Sequence, residues 1–126
     1  INDVGSTLAD IDSFLRESRV PAAEAFKINI CCEELMNNIV THTRGKVTSH
    51  TFDVHIQINA DGIFVTLKDA GKPFDPVRVG KMAAPNIVTE GNEHMGLRLV
   101  TSIIPDITYK YMYGQNTVFI CQIHSE

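Results

Sequence analysis

The sequence predicts an α+β fold, a two-layer α/β sandwich in which helices cover one face of a mixed, mostly antiparallel sheet. Three observations lead there. Apolar residues recur at helical spacing over residues 5–43. Two stretches then alternate apolar and polar residues around the turn signal Asp61-Gly62. A helical stretch and a second strand pair close the chain, so hairpins with helices before and between them give two layers.

Each element has its own signal. Val4, Leu8, Ile11, Phe14 and Leu15 fall on one helical stripe near residues 5–18, with Gly5-Ser6 able to cap it. Pro21 suits the first turn of a second helix, from about Ala22 to Thr43, stopped near Gly45. Phe52, Val54, Ile56 and Ile58 alternate with Asp53, His55, Gln57 and Asn59, the pattern of a half-buried strand. A second strand runs from Ile63 to Asp69. Residues 71–93 show little periodicity and read as a long functional loop, in which 77–93 is expected to be a lid that is mobile without a ligand. A short helix spans Met95 to Ile104 and is stopped by Pro105. Strands near 107–113 and 117–124 close the chain, joined by a turn at Gly114-Gln115-Asn116.

Bulk properties narrow the function. The chain has 126 residues, enough for one domain; 44% are hydrophobic and the net charge is −4. No basic stripe suits nucleic acid, and no apolar run approaches the roughly 18–20 residues of a membrane span. Three cysteines, two of them adjacent, suit neither a disulfide framework nor a zinc site. They read as small apolar residues in a reducing, cytoplasmic protein. The chain starts at Ile1 rather than Met, which reads as a domain cut from a longer protein.

Two segments carry chemistry. Glu34, Asn38 and His42 are four residues apart and share a helix face. Asn38 lies about 100° from the centre of the apolar stripe Ile28, Cys32, Leu35 and Ile39, at the border of the buried face. Asn37 and Glu33 point to solvent. A carboxylate one turn from a carboxamide offers hard oxygen ligands for Mg²⁺, or a general base. A solvated polar face ending in a histidine explains the same stripe. The second segment is Asp69-Ala70-Gly71-Lys72-Pro73-Phe74-Asp75-Pro76. Asp69 shares its strand side with Ile63, Val65 and Leu67, so its carboxylate points to the covered face and needs donors. A ligand amino group supplies them; so does a turn that Asp69 caps. Gly71 permits close approach, Phe74 can cover an apolar surface, and Asp75 suits a turn.

Glu34-x-x-x-Asn38-x-x-x-His42 resembles the N box of the GHKL ATPases, the superfamily of gyrase, Hsp90, histidine kinases and MutL. Asp69-Ala-Gly-Lys-Pro-Phe-Asp-Pro resembles its first glycine box, and His94-Met-Gly-Leu-Arg-Leu-Val its second. The three follow in the family's order across nearly the whole chain. The resemblance implies the Bergerat ATP-binding fold, with ATP and Mg²⁺ as cofactors. It implies that Asn38 ligates Mg²⁺, Glu34 orients or deprotonates the attacking hydroxyl, and Asp69 accepts from the adenine amino group beside Gly71. His42, Phe74, His94, Met95, Gly96 and Leu97 complete the nucleotide site, Gly96 and Leu97 opening a helix toward phosphate.

The compact size and the Pro-Phe-Asp-Pro loop are most similar to the anti-sigma factor and serine-kinase branch. The implied activity is phosphorylation of a serine on a small antagonist protein. The implied partners are that antagonist or a sigma factor, with a second copy of the chain as a further candidate. One departure stands out: Glu93 and His94 occupy positions that are usually glycine-rich in the family. It motivates a second reading, a non-catalytic nucleotide-binding module that sequesters a partner. A detached histidine kinase catalytic domain is a third.

Overall fold

The computed structural model describes residues 4–43, 52–82 and 95–124, without the side chains of His42, Thr43 and Met95. Eight elements run in the order α1 (Val4–Glu17), α2 (Ala22–Thr43), β1 (Phe52–Ile58), β2 (Gly62–Asp69), α3 (Pro76–Met82), α4 (Met95–Ile103), β3 (Ile107–Met112) and β4 (Gln115–Ile123). Ile11 and Leu15 of α1 are buried, as the helical spacing requires, whereas Phe14 of the same stripe is 41% exposed. The helix ends with Arg19 in the left-handed region and Val20 N–H donating to Leu15 C=O at 3.1 Å, a Schellman-type stop built without glycine. Pro21 sits just before α2, its carbonyl accepting from Ala25 N–H at 2.9 Å.

The strands form one sheet in the order β1-β2-β4-β3, antiparallel at every described pairing. Its inner face carries Phe52, Ile63, Val65, Leu67, Val118, Ile120 and Ile107 into a single core. There they meet Ile28, Cys31, Cys32, Leu35, Met36 and Ile39 of α2 and Leu97 and Val100 of α4. This is the α+β sandwich that the alternation and helix stripes predict.

Two expectations need correction. The loop expected over 71–93 contains α3. Asp75 Oδ1 accepts from Val77 N–H and Arg78 N–H, each at 3.0 Å, so Asp75 is an N-cap with Pro76 at the first helical position. Seven residues are too few for helical periodicity to stand out. The expected lid thus begins no earlier than residue 83, and residues 83–94 lie outside the described ones, as does Gly45. The turn before β4 also shifts. It is the pair Tyr113-Gly114, with φ of 53° and 76°, the sign pattern of a type I′ hairpin. Gln115 and Asn116 therefore belong to β4, and Asn116 pairs with Asp69.

Candidate functional site

At the end of the sheet next to α2 lies a cleft of about 210 Å³. Its walls are Leu35, Asn38 and Ile39 of α2, Leu67 and Asp69 of β2, the 71–76 loop, and Asn116 and Val118 of β4. Helix phase decides which residues reach it. Asn38 is half-buried and lines the cleft; Asn37 is exposed. Glu34 is half-buried one turn earlier, and Glu33 is exposed.

Asp69 turns inward with its strand, as parity requires. Its Oδ1 accepts from Gly71 N–H at 2.8 Å and from the Asn116 side-chain amide at 3.1 Å. The carboxylate therefore caps the turn with one oxygen. Among the described residues Oδ2 has no hydrogen-bond partner and remains an acceptor at the cleft. Turn-capping and ligand-facing readings of Asp69 are thus compatible, since each uses a different oxygen.

Asn116 is the residue that sequence reasoning missed. It is only 6% exposed, and its two amide N–H groups donate among three acceptors, Asp69 Oδ1, Lys72 C=O at 2.9 Å and Gly71 C=O at 3.3 Å, so that one N–H is shared. Its carbonyl oxygen accepts from Phe74 N–H at 3.0 Å and from the Tyr109 hydroxyl. One buried carboxamide thereby fastens the whole loop to β4. Placing Asn116 in a turn hid this role; the Tyr113-Gly114 pair was the signal that could have revealed it. Tyr109, whose hydroxyl supports Asn116, has its pKa raised, chiefly by desolvation.

The third predicted segment meets α2 rather than this cleft. Gly96, in the first turn of α4, packs so closely on Glu34 that a methyl group there would overlap the Glu34 carboxylate. A carboxylate at this end of a helix is electrostatically favoured by the exposed backbone N–H groups. Leu97 is 3% exposed and belongs to the core, so its side chain does not line the cleft. Met95 opens α4 in its backbone. His94, Glu93 and the His42 side chain lie outside the described residues. Lys72 lines the cleft from an exposed position, while Lys81 is exposed at the end of α3 and Arg98 is half-buried in α4.

The cysteines take no part. Cys31 and Cys32 are buried, and burial pushes both thiols up to about 12. They act as small core residues. No described helix is long and apolar enough to cross a membrane.

Three comparisons bear on this geometry. A search by sequence alone against curated proteins returns no match. Among solved structures, the chain resembles one from the crystal structure of the SiaB-SiaC complex of Pseudomonas aeruginosa. That likeness has a TM-score of 0.60 at 13% identity and covers 96% of this chain and 83% of the other. At that identity it speaks for the fold. The sequence profile described as "Histidine kinase-like ATPase domain" matches residues 2–121. With nearly the whole chain matched, and α2, the Asp69 loop and α4 assembled around one end of the sheet, the chain belongs to the histidine kinase-like ATPase domain family.

Proposed function

We propose that the domain binds Mg-ATP in the cleft between α2 and the Asp69 loop and transfers its terminal phosphate to a serine of a small regulatory protein. The observation that carries the reading is the convergence of Asn38, Asp69 and Gly71 on one cleft, with Glu34 at the first turn of α4. Asp69 Oδ2 is the acceptor for the adenine amino group, and Gly71 lets the base approach. Phe74, half-buried beside the cleft, covers the apolar side of the base. His42, His94 and Met95 belong to the same proposed nucleotide site. So does Gly96, and Leu97 supports it from the core.

The donor set suits magnesium in one way. Among the described residues no group of three or more His, Cys, Asp or Glu is arranged to hold a metal ion. Asn38 offers one hard oxygen, so magnesium would arrive on the phosphates and keep most of its ligands from them and from water. That ion would neutralise phosphate charge. Phosphoryl transfer needs positioning and charge neutralisation above all, and Glu34 is the residue to orient or deprotonate the serine hydroxyl.

A protein partner is also part of the reading, supported by the branch resemblance and by the likeness to a chain solved in a SiaB-SiaC complex. Sigma factors and their antagonists are the partners it implies, in a cytoplasmic setting. The experiment is incubation with radiolabelled ATP, magnesium and a candidate antagonist. Serine phosphate is expected and should vanish in Glu34→Ala while ATP binding survives. Glu93 and His94 before Gly96 favour a second reading, a partner-binding module without transfer. ATP binding and partner regulation that both persist in Glu34→Ala, with no phosphate transferred by the wild type, would decide for it.

A further inference from the structure

β1 is an edge of the sheet, and its free side follows from the register. Asn59 N–H donates to Gly62 C=O at 3.0 Å, and the β1–β2 pairing continues without a bulge from Ile58 opposite Ile63 to Phe52 opposite Asp69. Antiparallel pairs alternate between hydrogen-bonded and non-bonded, so Gln57, His55 and Asp53 turn their N–H and C=O groups toward β2. Val54 and Ile56 turn theirs off the sheet, where those groups have no partner among the described residues. Helix α1 does not close over them. A groove of about 430 Å³ lies between α1 and β1, lined by Ile11 and Phe14 on one side and by Val54 and Ile56 on the other. This is where Phe14, which belongs to the apolar stripe of α1, stays 41% exposed. Two exposed carboxylates rim the groove, Asp10 from α1 and Asp53 from β1. Among the described residues neither is in an ion pair: Arg16 is held by Asp12 at 2.9 Å, and Lys68 stands opposite Asp53 on β2 without bridging to it.

We propose that this groove docks an extended segment of a protein partner, one that alternates apolar residues with lysine or arginine and adds to the four-stranded sheet beside β1. Three observations select that occupant. The free edge offers backbone donors and acceptors at the two-residue spacing that an added strand pairs with, whereas a helix has its own backbone groups already paired. Strands that stay unpaired are commonly blunted by lysine or proline, and β1 contains neither from Phe52 to Ile58. The groove itself is apolar. Side chains of an added strand alternate between faces, so every second residue would enter the groove beside Val54 and Ile56 and beneath Phe14. The third observation is charge. Asp10 and Asp53 stand unbridged at the two rims, so cationic residues between the apolar ones complement them and anionic ones are repelled. The groove shares no residue with the cleft at Asp69 and does not rest on the nucleotide reading.

The probe is the synthetic peptide acetyl-Lys-Val-Lys-Val-Lys-Val-Lys-amide, titrated into the ¹⁵N-labelled chain and followed by amide hydrogen exchange. Exchange at Val54 and Ile56 should slow by about tenfold or more at saturation, while Asp53 and His55, already bonded to β2, change little. Side-chain contact alone would not produce that alternation. Two N-methylated versions of the peptide, one blocked at the valines and one at the lysines, keep its charge. The version whose blocked edge faces β1 should lose binding, and the other should keep it. A peptide with glutamate in place of lysine should bind on the order of tenfold more weakly. The double variant Asp10→Lys/Asp53→Lys, changed only at exposed positions and checked for folding by far-UV circular dichroism, should reverse that preference. Absence of binding at millimolar peptide overturns the proposal. So does equal binding of both N-methylated peptides, or protection that does not alternate along β1. A chain that gains the same protection at Val54 and Ile56 without peptide, as its own concentration rises, also overturns it, because the occupant is then a second copy.

Discussion

Asp69 and Asn116 show how one side chain can be structural and functional at once. Asp69→Asn keeps an oxygen to accept from Gly71 N–H, so the turn survives. That oxygen is then committed, and the new NH₂ replaces the free carboxylate oxygen at the cleft. A donor there opposes the adenine amino group, itself a donor. We expect ATP affinity to fall by roughly 10- to 100-fold, a loss of one well-placed hydrogen bond and an added mismatch. Melting temperature should change little; titration calorimetry and a thermal melt separate the two effects. Asn116→Ala differs, because it leaves several buried loop groups unpaired. It should cost about 1–3 kcal/mol or more of stability and weaken ATP binding with it, as denaturant unfolding would reveal. At this scale strand parity and helix phase made Asp69, Asn38 and Glu34 legible from sequence. Asn116 was hidden because its side depends on a register that only the Tyr113-Gly114 turn sets, and a one-residue shift reverses every side chain that follows.

Among the elements, α2 and the two hairpins stood out in the sequence because long periodic runs leave little ambiguity. Helix α3 did not: it is fixed by its cap and by its crossing with α4. A methyl group on Gly80 would overlap the Leu97 backbone carbonyl, which has no flexible end to yield. Gly80→Ala should therefore destabilise the domain by about 1–3 kcal/mol despite alanine's better helix propensity, measured by urea unfolding. Another junction ties the far ends of α2 and β4. His124 Nδ1 lies 3.1 Å from Glu24 Oε1, and Nε2 lies 3.0 Å from Asn59 C=O. Both ring nitrogens face acceptors, so the protonated imidazole satisfies the site. Its pKa is raised above the ordinary 6.5, first by the Glu24 hydrogen bond and then by the Asn59 carbonyl. A raised folded value stabilises fully below the unfolded pKa and is lost as pH rises through the folded one. The melting temperature gap between wild type and His124→Gln should accordingly be largest near pH 6 and shrink as the pH is raised.

For the whole molecule, the sheet separates two surfaces. Its inner face and one end hold the core and the cleft, and its outer face carries Phe64, Phe119 and Ile123 away from the helices. The two-layer fold was legible because period-2 and period-3.6 stretches follow each other in clear order. The ligand was not legible from spacing; it came from the ordered motifs around Asn38, Asp69 and Gly96 and from the family match across residues 2–121. If this assembly binds Mg-ATP, a thermal melt over an ATP and magnesium titration will register it. Binding to the folded state must raise stability, by about 2.7 kcal/mol at a hundred times the dissociation constant. For a domain of this size that is a shift on the order of 10 °C. Such a rise is expected, reduced in Asp69→Asn and less dependent on magnesium in Asn38→Ala. A melting temperature that stays flat at millimolar ATP and magnesium would contradict it.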